Sequence, residues 1–299
     1  MPVRIGPSQP EEAAVFRLIN VAGRAALDCD GQWYDLARLS GDASLADPLV
    51  AVGRHRDLHA LADSSASAPA DGTLADVELG PPIPTPGQVF GIGLNYRDHA
   101  GETGAVLPEA PLTFTKFPSC IAGPTADIPL SGEQVDWEVE LVVVIGDACS
   151  RVPVESAWSV VAGLTLGQDV SDRAVQKAGS PPQFSLGKSF THYGPIGPAV
   201  VSPDAFADPG DIGLWCEVAG ERMQEARSSL LIFSIPTLVA YLSSICALRP
   251  GDLIFTGTPS GVGMARGRYL SPGETVVSGA EVIGGLTNRC VPGAGPLLA

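Results

Sequence analysis

Two glutamates stand two positions apart at the start of an apolar stretch of this chain. Residues 136–146 read Asp-Trp-Glu-Val-Glu-Leu-Val-Val-Val-Ile-Gly, which places Glu138 and Glu140 before a run rich in β-branched residues. Such a run predicts a buried strand, on which side chains at i and i+2 share one face. Two like charges on a buried face are costly unless a positive charge lies between them. The doublet therefore indicates either a site for a hard divalent cation or a strand end that extends into water.

A third carboxylate follows the next predicted strand. An apolar run over residues 160–166 leads to Asp169, and Ser171 then has the features of a helix N-cap with Asp172 in the first turn. An isolated aspartate at such a place is most often a turn or capping residue. Next to the two glutamates, however, it is well placed to complete a site of three carboxylates.

The most suggestive histidine is His99, which precedes Glu102 by three residues. On one helical turn these two side chains face the same way and can form a hydrogen bond. A carboxylate partner fixes the imidazole tautomer and raises its basicity, as a general base requires. The alternative is an ordinary surface pair.

The overall composition limits what the protein can be. A chain of 299 residues with 45% hydrophobic and 17% charged residues is predicted to fold as a large domain, alone or with a small one. Its 35 glycines and 27 prolines favour many short strands joined by turns. The formal net charge of -15 argues against nonspecific binding to nucleic acid or to an acidic membrane. No stretch approaches the roughly 20 apolar residues of a membrane span.

The cysteines and the N-terminus indicate the compartment. The six cysteines are scattered without a CxxC pair, which argues against structural zinc and favours free thiols in a reducing cytosol. The first residues are followed by acidic side chains and lack the apolar core of a signal peptide. We therefore predict a cytoplasmic protein.

Residues 1–80 are predicted to form a small N-terminal α/β unit. Residues 14–38 alternate between apolar and polar groups and predict two or three short strands, whereas residues 44–62 are rich in Ala and Leu and predict helix. His55 and His59 have the i, i+4 spacing of a helical metal site, but their charged neighbours favour a solvated face.

Residues 81–299 are predicted to form the catalytic domain. The proline-rich segment 81–86 is expected to be a rigid extended connector, and we place the boundary there. Beyond it, the pattern predicts many short strands and one clear helix at about residues 235–248, with Ser234 as its N-cap.

A series of short motifs runs through residues 88–290. In chain order they are Gly93-Leu94-Asn95-Tyr96 with His99 and Glu102, Asp136-Trp137-Glu138-Val139-Glu140-Leu141, Gln168-Asp169-Val170-Ser171 with Arg173 and Gln176, Gly187-Lys188-Ser189-Phe190, Gly194-Pro195-Ile196-Gly197-Pro198, Phe233-Ser234-Ile235-Pro236, Pro250-Gly251-Asp252, Thr256-Gly257-Thr258-Pro259 and Gly261-Val262-Gly263. With these motifs the chain resembles the fumarylacetoacetate hydrolase family, in particular its acylpyruvate hydrolase-like and 2-hydroxyhepta-2,4-diene-1,7-dioate isomerase-like branch.

This resemblance implies an α+β fold, predominantly β, with a mixed β-roll core, a small N-terminal domain and a homodimeric assembly. It also implies a Mg²⁺ or Mn²⁺ site, whose ligands by motif match are Glu138, Glu140 and Asp169. His99 and Glu102 match the catalytic dyad, on a segment that in relatives often closes over the substrate as a lid. The positions that match groups holding the substrate's carboxylate and oxo oxygens are Arg173, Gln176, Lys188 and Thr258.

The chemistry of such a site follows from general principles. A 2-oxo acid can chelate a divalent ion, which then acts as a Lewis acid toward the enolate formed when an adjacent C–C bond breaks. Lys188 adds a cation near the developing oxyanion, and His99, oriented by Glu102, can activate a water to attack a distal carbonyl. A 2,4-dioxo acid would be hydrolysed to pyruvate and a second acid. Oxaloacetate would instead lose CO₂, and an unsaturated 2-hydroxy acid would isomerise.

The sequence thus predicts a metal-dependent hydrolase that cleaves a C–C bond in an acylpyruvate-like 2,4-dioxo acid. The alternatives are an oxaloacetate decarboxylase or 2-hydroxy-diene-dioate isomerase using the same site, and a binding or scaffold protein with an idle site. The intact carboxylates, dyad and lysine argue against an idle site. The chain departs from relatives at Thr191, followed by His192, where they usually have Asp, and at Asp172, where Ala is common. We expect these departures to bear on substrate identity.

Overall fold

The computed structural model describes residues 15–98 and 107–294, and strands dominate this part of the chain. The strands are β1 (Arg17–Val21), β2 (Arg24–Cys29), β3 (Gln32–Asp35), β4 (Gly72–Thr73), β5 (Leu79–Gly80), β6 (Val89–Gly93), β7 (Leu112–Thr115), β8 (Ile121–Ala122), β9 (Ile128–Leu130), β10 (Val135–Asp136), β11 (Val139–Ile145), β12 (Val161–Gln168), β13 (Ser171–Asp172), β14 (Gly194–Val201), β15 (Gly213–Val218), β16 (Glu221–Arg227), β17 (Leu253–Phe255), β18 (Thr275–Ala280) and β19 (Gly284–Pro292).

The helices are short. The α-helices in the described residues are Leu36–Ser40, Pro48–Gly53, His55–Ser65, Arg173–Gln176, Phe184–Gly187, Ile235–Ile245 and Gly263–Arg266, and the 3₁₀ helices are Ala43–Ala46, Leu74–Asp76, Pro118–Cys120, Val154–Val160, Pro203–Ala205 and Ser228–Leu230. The prediction of an α+β fold that is mostly β is confirmed. Among the described helices, none has the length and apolar character that a membrane crossing requires.

The strands form one large mixed sheet and two smaller ones. The large sheet has 12 strands in the order β4-β3-β2-β1-β14-β12-β11-β17-β6-β7, with β5 beside β1 and β8 beside β14. A second sheet has the order β16-β15-β18-β19-β9, and β10 pairs with β13. Most pairs are antiparallel, whereas β17 with β6, β14 with β8 and β19 with β9 are parallel.

Strand β11 is buried along its whole length because both faces of the large sheet are covered. Val139, Leu141, Val143 and Ile145 belong to one hydrophobic cluster, whereas Val142 and Val144 belong to another. This two-sided burial explains why the sequence is continuously apolar rather than alternating. Because side chains two apart share a face, the Val142 face continues toward the two glutamates at the N-terminal end of the strand.

Gly167 on β12 lies opposite Glu140 on β11. A Cβ at Gly167 would lie 2.7 Å from both the Phe255 ring and the Val142 side chain, so only glycine fits there. The missing side chain keeps β11, β12 and β17 closely packed beside the carboxylate.

The first strands of the chain join the large sheet. The prediction of two or three strands in residues 14–38 is confirmed by β1, β2 and β3. Strand β1 pairs antiparallel with β14, with Arg17 opposite Val201 and Leu18 opposite Val200. Strands from before and after residue 80 therefore belong to one hydrogen-bonded sheet. The domain boundary at that residue stays a prediction.

The helix predicted at residues 44–62 is broken into three pieces, Ala43–Ala46, Pro48–Gly53 and His55–Ser65. Asp47 ends the first piece and caps the second, where its carboxylate accepts a hydrogen bond from the Leu49 N–H at 2.8 Å. The last piece extends to Ser65, three residues beyond the predicted end of the helix.

The prediction of a solvated face is wrong for His55, whose side chain is buried. A Cβ at Gly146 would lie only 2.5 Å from His55 Nδ1, so the glycine that ends the β11 motif admits the imidazole. His59 is partly exposed and lies edge-on to the Phe16 ring, with 5.0 Å between ring centroids. Burial against the sheet overrides the charged local composition.

Two helix boundaries differ from the sequence expectation. Ser171 lies in β13, and Asp172 is the N-cap of Arg173–Gln176, where its carboxylate accepts from the Val175 N–H at 3.1 Å. Ser234 does cap Ile235–Ile245, but the helix ends three residues before 248 because Cys246 is extended (φ -117°, ψ 139°). All six cysteines are free thiols.

Candidate metal and substrate site

Three carboxylates meet at the end of the β11–β12 pair. Their ligand oxygens, on Glu138, Glu140 and Asp169, lie within 4.8 Å of one another, and all three side chains are buried. The pairing of β11 with β12 continues into a hydrogen bond from the Asp169 N–H to the Glu138 carbonyl at 2.8 Å. This register places the aspartate on the same face as the two glutamates. The structure thus brings together the three residues that the sequence predicted as metal ligands.

Two buried lysines neutralise part of this charge. Lys188 Nζ lies 2.8 Å from Glu138, 2.7 Å from Asp169 and 2.8 Å from the Ser171 hydroxyl. Lys116 Nζ lies 2.7 Å from the other Asp169 oxygen and donates to the Tyr193 carbonyl at 3.0 Å and to the Lys188 carbonyl. Sequence reasoning missed Lys116, because a single lysine after a short strand carries no local signal of a role.

Arg173 is held by two carboxylates. Its Nη2 lies 2.7 Å from both Asp136 and Glu138, and its Nε donates to Asp136 at 2.8 Å. Nη1 donates to the Gln176 side-chain oxygen at 2.8 Å. Burial opposes the charge on Arg173, but the charges of Glu138 and Asp136 outweigh burial and raise its pKa. The guanidinium is therefore a fixed cation.

Asp136 is a further residue whose role the sequence did not indicate. Besides Arg173, it accepts hydrogen bonds from the backbone N–H groups of Trp137, Gly263 and Met264 at 2.6 to 2.9 Å. It therefore ties the guanidinium to the start of the helix Gly263–Arg266.

Glu140 differs from the other two carboxylates of the triad. Among the described residues, no cation lies within ion-pair distance of it, and its carboxylate accepts from the Gly257 N–H at 2.8 Å. Burial, followed by the charges of Asp169 and Glu138, raises the pKa of Glu140 well above its usual value. A buried carboxylate in this state favours an additional positive charge.

With all four of its described carboxylates ionised, as metal ligation requires, the inner site is one positive charge short of neutrality. Its four buried carboxylates face three buried cations, and the groups are Asp136, Glu138, Glu140, Asp169, Lys116, Lys188 and Arg173. Hard divalent cations bind clusters of carboxylate oxygens of this kind. The donor set and the charge balance therefore fit Mg²⁺ or Mn²⁺.

A cavity of about 290 Å³ opens onto Glu138 of the triad, whereas Glu140 and Asp169 do not line it. The predicted residues that line it are Glu138, Arg173, Gln176, Lys188 and Thr258. Its apolar wall includes Phe114, Phe184 and Met264. A larger groove of about 810 Å³ lies on the second sheet, but none of the predicted site residues that fall within ranges 15–98 and 107–294 lines it. The smaller cavity is therefore the candidate substrate site.

The polar groups of the cavity differ in how much hydrogen-bonding capacity they retain for a ligand. The Thr258 hydroxyl donates to the Val139 carbonyl at 2.9 Å and accepts from the Gln224 amide at 2.8 Å, which leaves one lone pair for a ligand. Gln176 accepts from Arg173 through its oxygen, and its NH₂ group can donate to a substrate oxygen.

His99 and Glu102 lie outside the described residues. Gly93 and Leu94, a few positions before His99, line the cavity at the end of β6. The roles of the dyad stay predictions from sequence.

The departures from the family pattern do not line the cavity. His192 has φ 63° and its Nδ1 lies 2.8 Å from the Asp127 carbonyl. Asp172 is buried, caps its helix and accepts from the Ser131 hydroxyl at 2.6 Å. Asp172 can thus act on the substrate only through the backbone that carries Arg173 and Gln176.

Comparisons with known proteins agree with this geometry. Residues 88–291 match the family model described as fumarylacetoacetate (FAA) hydrolase, C-terminal. A solved Mycobacterium smegmatis structure that bears the name HpcE is 44% identical, with a TM-score of 0.86, and the match covers 92% of this chain and 99% of that one. This chain belongs to the fumarylacetoacetate hydrolase family.

Two further solved structures carry functional names. The 5-carboxymethyl-2-hydroxymuconate delta-isomerase from Mycobacterium smegmatis is 32% identical, with a TM-score of 0.71, and the match covers 93% of this chain and 98% of that one. The maleylpyruvate hydrolase from Sphingobium sp. SYK-6, in complex with manganese(II) and pyruvate, is 26% identical, with a TM-score of 0.78, and the match covers 93% of this chain and 99% of that one. The family thus includes both hydrolases and isomerases.

Proposed function

We propose that this protein is a metal-dependent hydrolase that cleaves the C–C bond between the acyl group and the pyruvate part of an acylpyruvate. The observation that carries the proposal is the buried triad of Glu138, Glu140 and Asp169, whose Glu138 lines a cavity together with Lys188 and Arg173. The related maleylpyruvate hydrolase structure supports it, because that protein holds manganese(II) and pyruvate.

Each charged group has a distinct part in this proposal. Mg²⁺ or Mn²⁺, held by the triad, would supply Lewis acidity toward the carboxylate and oxo oxygens of the substrate. Lys188, immobilised between Glu138 and Asp169, presents a fixed positive charge where the departing fragment gains negative charge. Arg173, clamped by Asp136, and Gln176 orient the substrate carboxylate.

The proposed hydrolysis begins with the attack of water on the distal carbonyl. His99, oriented by Glu102, accepts a proton from water, whose oxygen bonds to the distal carbonyl carbon. The C–C bond then breaks, and its electron pair passes to the pyruvate fragment. His99 then returns its proton to the carbon of the pyruvate fragment that was in the broken bond, which completes pyruvate, and the acyl group leaves as a carboxylic acid.

The same fixed cations could serve an oxaloacetate decarboxylase or a 2-hydroxy-diene-dioate isomerase, and the similarity to a delta-isomerase favours testing the latter. The test is a panel of acylpyruvates, oxaloacetate and 5-carboxymethyl-2-hydroxymuconate, each with Mg²⁺ and with Mn²⁺ after treatment with a chelator. We expect pyruvate release from an acylpyruvate with kcat/KM at least about tenfold above either rival reaction. A higher kcat/KM for decarboxylation or isomerisation would replace the proposed activity.

We further propose that the protein is a cytoplasmic homodimer. The family resemblance supports a dimer, and Leu230, 53% exposed beside the groove of the second sheet, supports an apolar contact surface there. The six free thiols support a reducing compartment. Sedimentation should give twice the 30.8 kDa chain mass at micromolar concentration. A fully active 30.8 kDa species would contradict the dimer.

A further inference from the structure

All three lysines of this chain lie at or beside the candidate site. Of the 18 basic residues only Lys116, Lys177 and Lys188 are lysines. Lys116 and Lys188 are buried in ion pairs with the carboxylates. Lys177 also lines the cavity, but it is exposed and forms no ion pair with any residue in the ranges 15–98 and 107–294. It is therefore a cation of the cavity that is available to a ligand.

The position of Lys177 is set by the element that carries the substrate-binding candidates. It is the C-cap of the helix Arg173–Gln176, and its N–H donates to the Arg173 carbonyl at 3.1 Å. The helix in turn begins at the buried Asp172 cap. One short element thus presents a buried guanidinium, an amide and an exposed ammonium to the same cavity.

Charge balance indicates what Lys177 can bind. With its four described carboxylates ionised as metal ligation requires, the inner site carries one net negative charge. A divalent ion brings it to one positive charge, which the carboxylate of a single 2-oxo acid neutralises. A second substrate carboxylate needs another cation, because an unpaired charge in a partly enclosed cavity is costly. Phe114, Phe184 and Met264 in the wall offer none.

We propose that Lys177 is a specificity-determining residue that binds a second carboxylate at the far end of the substrate. The favoured substrates are then 2-oxo dioic acids, that is, acylpyruvates whose acyl group carries its own carboxylate. This inference rests on the proposed function for the binding of a 2-oxo acid at the triad, and it specifies the acyl group.

The test compares two unreactive ligands of equal chain length, 2-oxoadipate and 2-oxohexanoate, which differ in a terminal carboxylate or methyl group. Calorimetric titration in the presence of Mg²⁺ should show 2-oxoadipate bound about three- to tenfold more tightly by the wild-type protein. Lys177→Met should abolish this preference, and Lys177→Arg should retain it. Arg289→Met, which removes an exposed cation that does not line the cavity, controls for net charge and should retain it.

A second measurement follows the chemical modification of the Lys177 amine. Lys177 is the exposed lysine, so a water-soluble amine reagent should modify it in preference to the buried Lys116 and Lys188, as peptide mass spectrometry can show. We expect 2-oxoadipate, but not 2-oxohexanoate, to slow this modification. Equal protection by both ligands would overturn the inference.

The outcomes separate the two proposals. An equal affinity for the two ligands, no binding of either, or a preference that survives Lys177→Met overturns the role of Lys177 even if acylpyruvates are hydrolysed. A preference lost in Lys177→Met, together with no hydrolysis of any acylpyruvate, supports the role of Lys177 and overturns the proposed hydrolase activity.

Discussion

Replacement of Glu140 by glutamine is expected to abolish binding of Mg²⁺ and Mn²⁺ and, with it, turnover. Glu140 contributes an oxygen to the buried triad and has no cation within ion-pair distance among the described residues. We expect the Kd for the metal to rise by at least about 100-fold, as measured by calorimetric titration. Glutamine keeps an oxygen that can accept from the Gly257 N–H, so the local backbone should be preserved.

The same substitution should not destabilise the metal-free protein. Burial and the charges of Asp169 and Glu138 disfavour the ionised Glu140 carboxylate, so a neutral amide relieves an unfavourable charge. The melting temperature in chelator should equal or exceed that of the wild type. Glu155→Gln, at an exposed position on Val154–Val160, is the matched control and should leave metal affinity unchanged. Wild-type metal affinity in Glu140→Gln would refute the ligand assignment.

Replacement of His99 by alanine is expected to separate hydrolysis from decarboxylation. Water attack on a distal carbonyl needs a general base, so His99→Ala should lower kcat for an acylpyruvate by roughly 10²–10⁴-fold. Loss of CO₂ from oxaloacetate needs no such base, and any side decarboxylation should fall much less. The measurement is pyruvate release from the two substrates under identical metal saturation.

Lys188→Met is the comparison variant, because Lys188 contributes to both reactions. Its ammonium lies 2.8 Å from Glu138 and 2.7 Å from Asp169, and it offers a fixed charge to either product oxyanion. Both activities should therefore fall together in Lys188→Met. If His99→Ala also reduced both equally, or left acylpyruvate hydrolysis intact, the dyad would not have the role assigned to it.

The sequence predicted several local structural features correctly, because strands, helix caps and side-chain faces depend on residues only a few positions apart. The apolar run after Glu140 predicted a buried strand, and β11 is that strand. Alternation over residues 14–38 predicted β1 to β3, and Ser234 was recognised as a cap because its hydroxyl serves an N–H three residues later. The i, i+2 spacing of the glutamates placed them on one face, since side chains alternate along a strand.

Other features depended on which distant segments meet. Glu138 and Asp169 are adjacent because β11 pairs with β12 in one register, and a shift of one residue would turn the aspartate to the opposite face. Lys116 and Asp169 form an ion pair although they are 53 positions apart in the sequence, and the residues next to each of them do not predict this contact. The burial of His55 likewise depends on the space above Gly146.

The sequence by itself therefore determined the kinds of chemical groups, the local elements that carry them and the family to which the chain belongs. The tertiary structure alone decided their pairing. It added Lys116 and Asp136 to the charged groups of the inner site, and it left Lys177 exposed at the cavity. The physical reason is range, because backbone periodicity and capping act within a few residues, whereas ion pairing and burial follow from contacts between segments far apart in the chain.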